Sequence, residues 1–161
     1  MKNSARKTLA RQRGITMIEA LVALIVISVG MLGIAGLYLA SLQAGRSANL
    51  RVQAVNLAAE MADRIRANRN AKNAYTLAAG TLPSAVTCSG TTDCTPASLA
   101  QSDQNIWVLA IRGALPGVPS SNGAIAFTDN PGATPDRYDI TITWREAGSD
   151  VDSSYRLEME L

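Results

Sequence analysis

The 161-residue sequence contains no histidine, a single phenylalanine and two cysteines, and aromatic residues make up 4% of it. Histidine is the side chain that most readily moves protons near neutral pH, so without it acid–base or nucleophilic chemistry would rest on scattered carboxylates. A serine-elbow glycine motif, a phosphate-binding loop and a metal-ligand cluster are also missing. The sequence therefore points away from an enzyme and implies no cofactor and no metal. Asp136, Asp139, Asp150 and Asp152 gather near the C-terminus, but they lack the spacing of a calcium-binding loop and read as solvated turn acids. The two cysteines, Cys88 and Cys94, enclose Ser-Gly-Thr-Thr-Asp, a poor match to zinc-ligand spacing. In an exported domain they would pair as a disulfide closing a short loop, worth roughly 2–2.5 kcal/mol; free thiols are the alternative.

Acid is absent from the first 14 residues, which carry Lys2, Arg6, Lys7, Arg11 and Arg13. The rest of the chain has 10 basic residues against 13 acidic ones. The basic excess thus belongs to the N-terminus and says little about nucleic-acid affinity elsewhere. Charge is missing again over the 23 residues from Ala20 to Leu42, where Ser28, Tyr38 and Ser41 are the polar exceptions. A helix of that length covers roughly 34 Å, enough to cross a ~30 Å hydrocarbon core. Cations ahead of an apolar segment stay cytoplasmic, which predicts the N-terminus inside and the C-terminus outside the inner membrane. A cleaved secretory signal fits less well: its apolar region is shorter and ends in small-x-small residues, whereas this run ends in Leu42-Gln43-Ala44. A plain signal anchor accounts for length and orientation but not for Glu19 at the head of the run. An ionisable group near hydrocarbon calls for a partner. Cutting after Gly14 would supply one, an α-amine on Ile15 with a pKa near 8, which in a neighbouring copy or a related subunit can pair with Glu19.

Gly14-Ile15-Thr16-Met17-Ile18-Glu19 resembles the class III leader motif of type IV pilins and pseudopilins, with Ile15 in place of the usual phenylalanine and Met17 where leucine is common. The resemblance implies cleavage between Gly14 and Ile15 by a prepilin peptidase, N-methylation of Ile15, and a filament-docking role for Glu19. It divides the chain into a removed leader (1–14), a transmembrane and filament-core helix (15–45), an amphipathic helical half (46–70) and a periplasmic globular domain (71–161). Within the span, Gly30, Gly33, and Gly36 with Ala40, offer small-residue surfaces for helix packing or local unwinding.

Beyond the span, Ala48, Val52, Val55, Ala59 and Ala62 form one apolar row, and Leu50, Ala54, Leu57, Met61 and Ile65 an adjacent one. Together they predict one broad apolar face on a helix ending near Asn68 to Asn70, with Glu60 and Arg64 as an i,i+4 pair. The stretch from Ala58 to Arg69, with Arg64, Arg66 and Arg69, is similar to the segment after the anchor in the type IV pilus modification proteins, the PilV-like minor pilins. Ser28-Val29-Gly30-Met31-Leu32-Gly33 matches the same group. Taken alone, the three arginines equally suit a solvated basic face.

Residues 70–101 read as loop, and Asp103 as the N-cap of a short helix through Ile106, Trp107 and Ile111 that stops at Pro116-Gly117; an edge strand over 106–111 is the alternative. Ile125 and Phe127, then Tyr138 to Trp144, then Tyr155 to Leu161 alternate apolar with polar residues as half-buried antiparallel strands. Three such strands need a cover, which the amphipathic helix provides. Trp107 and Trp144 read as core anchors. The expected fold is α+β, a long N-terminal helix packed on a small antiparallel sheet. By the resemblance, the partners are prepilin peptidase, other minor pilins, the major pilin and a tip adhesin, with the inner membrane before assembly and nucleic acid left open. The function implied is a minor pilin that helps initiate pilus assembly and supports twitching motility or adhesion. The alternatives are a minor pseudopilin of a type II secretion system, or a pilus-displayed module that binds a surface or DNA.

Overall fold

The computed structural model of the protein describes residues 16–87, 94–117, 122–132 and 135–161. One helix, α1 (Met17–Ala67), is shared between two compact units that divide between Ala44 and Gly45. In the first unit, side chains from Thr16 to Ala44 are exposed, large apolar ones from Met17 to Leu42 included. By length and composition this stretch is able to cross a membrane.

The second unit carries its own core, since every buried apolar side chain among the described residues lies between Leu50 and Met159. Within it α1 contributes Leu50, Ala54, Ala58, Met61, Ala62 and Ile65. The spacing is that of a single helical stripe, and fully buried Ala54 and Ala58 let the helix lie close to its neighbours. The broad apolar face expected from the sequence is divided. Ala48, Val52, Val55 and Ala59 are exposed, because they sit about 120° around the helix from the buried stripe at ~100° per residue. Among the described residues, a single sheet and one further helix cover only one side of α1.

After Ala67 the chain turns through a short 3₁₀ segment (Arg69–Tyr75), broken at Lys72, whose φ of 44° is a conformation most side chains avoid. The second helix, α2 (Pro96–Ala114), starts earlier than the sequence suggested. Thr95, not Asp103, is its N-cap: the Thr95 hydroxyl accepts a hydrogen bond from the Ser98 N–H at 3.2 Å, and Pro96 occupies the first turn. Asp103 sits mid-helix, and 106–111 is helical.

Strands β1 (Asn122–Thr128), β2 (Arg137–Trp144) and β3 (Ser153–Glu160) form an antiparallel meander in the order β1-β2-β3. Ile125, Ile140 and Leu157 lie side by side across it. Alternation buries Tyr138, Ile140, Ile142 and Trp144 on one face of β2 and leaves Asp139, Thr141 and Thr143 on the other. Phe127 stands opposite Tyr138, ring centroids 4.9 Å apart. The architecture is the expected α+β arrangement of a long N-terminal helix on a small antiparallel sheet.

Candidate functional site

The sequence singled out the head of α1, and there the structure adds a local cause for Glu19. Thr16 caps the helix, its carbonyl accepting from Glu19 N at 3.0 Å and its hydroxyl at 3.4 Å. Thr16-Met17-Ile18-Glu19 therefore has the spacing of a capping box, in which an acid three residues after the cap faces the positive end of the helix dipole. The carboxylate is exposed, available to a group from outside the chain. Gly14 and Ile15, and with them the expected cleavage point, lie outside the described residues.

The amphipathic half of α1 is fastened by a polar cluster that sequence reading did not anticipate. The Arg64 guanidinium donates to Glu60 Oε1 at 2.7 Å, as expected for the i,i+4 pair, and also to Asp103 Oδ1 of α2 at 2.8 Å. The other Asp103 oxygen accepts from the Tyr75 hydroxyl at 2.7 Å. Asp103 is 7% exposed, so its charge is offset by these donors rather than by water. Burial, then the bond to Asp103, pushes the Tyr75 phenol well above its usual range, so it stays a donor. Trp107 Nε1 donates to the Leu57 carbonyl at 2.8 Å, and Asn68 Nδ2 to the Pro96 carbonyl at 2.8 Å. Arg64 is thus a structural tie. Arg66 pairs with Asp63 across one turn on the exposed side, and Arg69 is exposed.

The segment between Ala74 and Ser84 is sewn to α2 by the same logic. Gln104 donates to the Ala74 carbonyl at 3.1 Å, Asn105 to the Pro83 carbonyl at 2.6 Å, and Gln101 to the Ser84 hydroxyl at 2.8 Å. Leu77 and Ile125 exchange two backbone bonds of 2.9 Å at the edge of β1. Ser, Thr, Gly and Pro composition predicts loop here; the ordering of that loop comes from long-range amide side chains invisible to a local reading. Cys94 directly precedes the Thr95 cap, and no described cysteine is free; Cys88 lies outside the described residues.

Three of the four C-terminal acids are tied down rather than gathered into one site, and Asp150 is exposed; Asp139, expected as a solvated turn acid, lies on β2 with its side chain 11% exposed. Asp136 pairs with Lys72 at 3.2 Å, Asp139 with Arg137 and Arg156, and Asp152 with Arg145 at 2.7 Å. Burial raises the Asp139 carboxyl, but Arg156 and Arg137 outweigh it and hold the group below its ordinary value. Trp107 and Trp144 are buried core residues, as expected.

The family model described as type IV pilin Tt1218 (Tt1218-like) matches residues 36–105. A model of the prokaryotic N-terminal methylation motif matches residues 9–35, a stretch that contains Gly14, Ile15 and Glu19. Neither a curated protein nor a solved structure matches the chain.

Proposed function

We propose that this chain, which belongs to the type IV pilin-like family, is a minor pilin of the PilV-like kind that helps to initiate a type IV pilus. The N-terminal methylation motif over residues 9–35 carries the reading; it implies a prepilin peptidase and assembly with other pilins. In this proposal the peptidase removes residues 1–14, cutting between Gly14 and Ile15, and Ile15 is methylated. The precursor sits once across the inner membrane with its N-terminus cytoplasmic and its C-terminal domain periplasmic, then moves into the pilus at the cell surface. Glu19 docks by pairing with the α-amine of a neighbouring subunit as the apolar helix leaves lipid. A carboxylate in low dielectric needs that counter-charge, so the pairing sets axial register. The exposed row Ala48, Val52, Val55 and Ala59 supports the assembled state, since neighbouring helices would cover it. Cys88 and Cys94 form a disulfide that anchors the segment ahead of α2. Twitching motility or adhesion follows from the filament, and a tip adhesin is among the partners.

Two outcomes test this. Gly14→Leu leaves a precursor heavier by residues 1–14 in intact-mass analysis, whereas the parent protein yields a methylated Ile15; normal processing of the variant contradicts the cleavage site. Glu19→Ala inserts normally but falls by about tenfold or more in sheared filaments, in keeping with loss of a buried charge pair. Unchanged incorporation removes the docking role. Co-purification with pilus subunits rather than secretion-channel components separates the pilus reading from the secretion one.

A further inference from the structure

The edge of β3 is open: in the order β1-β2-β3 it has one neighbour among the described residues. Its hydrogen-bonding pattern defines which groups are free. Asp136 and Leu161 exchange both backbone bonds, at 3.1 and 2.9 Å, so the odd-numbered residues of β3 bond to β2. Alternation then turns the N–H and C=O groups of Ser154, Arg156, Glu158 and Glu160 outward.

Charge on that edge is ordered so that an antiparallel copy meets it with the opposite sign, Arg156 lying two residues before Glu158. Asp139 and Glu158 stand directly opposite in the ladder, a like-charge pair that disfavours the sheet. Arg156 bridges the two, at 2.9 and 3.2 Å, while Arg137 gives Asp139 a second partner at 3.1 Å. Charges on an edge strand ordinarily repel another strand; here their order selects one.

We propose that the β3 edge pairs with the β3 edge of a second copy of this chain, antiparallel and centred on Leu157, so that Arg156 of each copy faces Glu158 of the other. The outward-facing groups then meet one another, forming ~8 backbone hydrogen bonds. On the inner face Leu157 meets Leu157 and Tyr155 meets Met159, covering Tyr155 and Leu157, which the chain alone leaves half-buried. Shifting either strand by two residues sets Arg156 against Arg156, or Glu158 against Glu158 with Arg156 against Glu160, so each shift adds a like-charge pair that the central register lacks. The two-fold axis stands normal to the sheet and reverses every direction within its plane. The Gly45–Ala67 parts of α1 that lie on the two sheets therefore run antiparallel.

The test uses the full chain in detergent micelles, with sedimentation equilibrium as the readout. Glu158→Arg retains its fold, because the new arginine faces Asp139, but sets arginine against arginine across the pair and weakens association about tenfold or more. Arg156→Glu alone does the same by setting two glutamates together. Mixing the two variants restores association, since each arginine again meets a glutamate, and the double variant Arg156→Glu/Glu158→Arg restores it within one chain. Leu157→Cys, at the centre of the pair, gives a chain-to-chain disulfide under mild oxidation. A monomeric parent chain, association indifferent to the charge reversals, or no recovery on mixing overturns the proposal.

Discussion

Gly123→Val is expected to lower the melting temperature of residues 45–161 by roughly 15 °C, the shift that about 3 kcal/mol produces in a domain of this size. Gly123 lies on the inner face of β1, two residues before buried Ile125. A Cβ built there falls on the six-membered ring of Trp107 and 2.9 Å from Ile111 Cδ1. The indole cannot swing aside without losing its bond to the Leu57 carbonyl and leaving a pocket in which it is 1% exposed. Gly123→Ala should show a smaller loss of the same sign. Trp107→Leu costs stability by leaving a cavity, yet adding Gly123→Ala to it should be nearly free. A coupling of about 1 kcal/mol or more in that double-mutant cycle identifies steric contact as the cause. Additive losses would place the effect of Gly123 elsewhere.

Asp103→Ala should cost about 3 kcal/mol in denaturant unfolding of the same residues, because it takes one acceptor from the Arg64 guanidinium and leaves the Tyr75 hydroxyl only its longer bond to the Arg64 carbonyl, at 3.3 Å. Glu60 still holds part of the guanidinium, and Arg64 retains some water, which keeps the loss below that of a fully buried pair. Tyr75→Phe removes one neutral donor and should cost about 1–2 kcal/mol. Replacing both ends of the ion pair, Arg64→Met with Asp103→Leu, should recover most of the loss, since a well-packed apolar pair avoids the desolvation cost. A double variant as unstable as Asp103→Ala would show that the cluster contributes more than removal of an unpaired charge.

Much of this architecture was legible from periodicity. Alternation located all three strands, because a sheet with one wet face imposes a period of two on its residues. The 3.6-residue rhythm marks the amphipathic half of α1, whose end at Ala67 lies one to three residues before the expected Asn68 to Asn70. The start of α2 lies at Thr95-Pro96, a local helix opening, and not at the more conspicuous Asp103. Asp103 resembles a cap because acids favour caps; its mid-helix place is stable only because α1 and the 3₁₀ segment bring Arg64 and Tyr75 to it. Nothing within β1 announces the indole above Gly123.

The apolar length, the asymmetry of charge and the cap at Thr16 with Glu19 in its first turn are properties of neighbouring residues, and the sequence alone determined them. Short-range pattern carries such features because hydrophobic transfer and helix termination act through local composition. Tertiary structure decided which apolar row of α1 is buried, which arginine is a tie and which edge stays open. Those outcomes depend on residues tens of positions apart meeting in space, and on a cover of one sheet and one helix being too narrow to enclose α1.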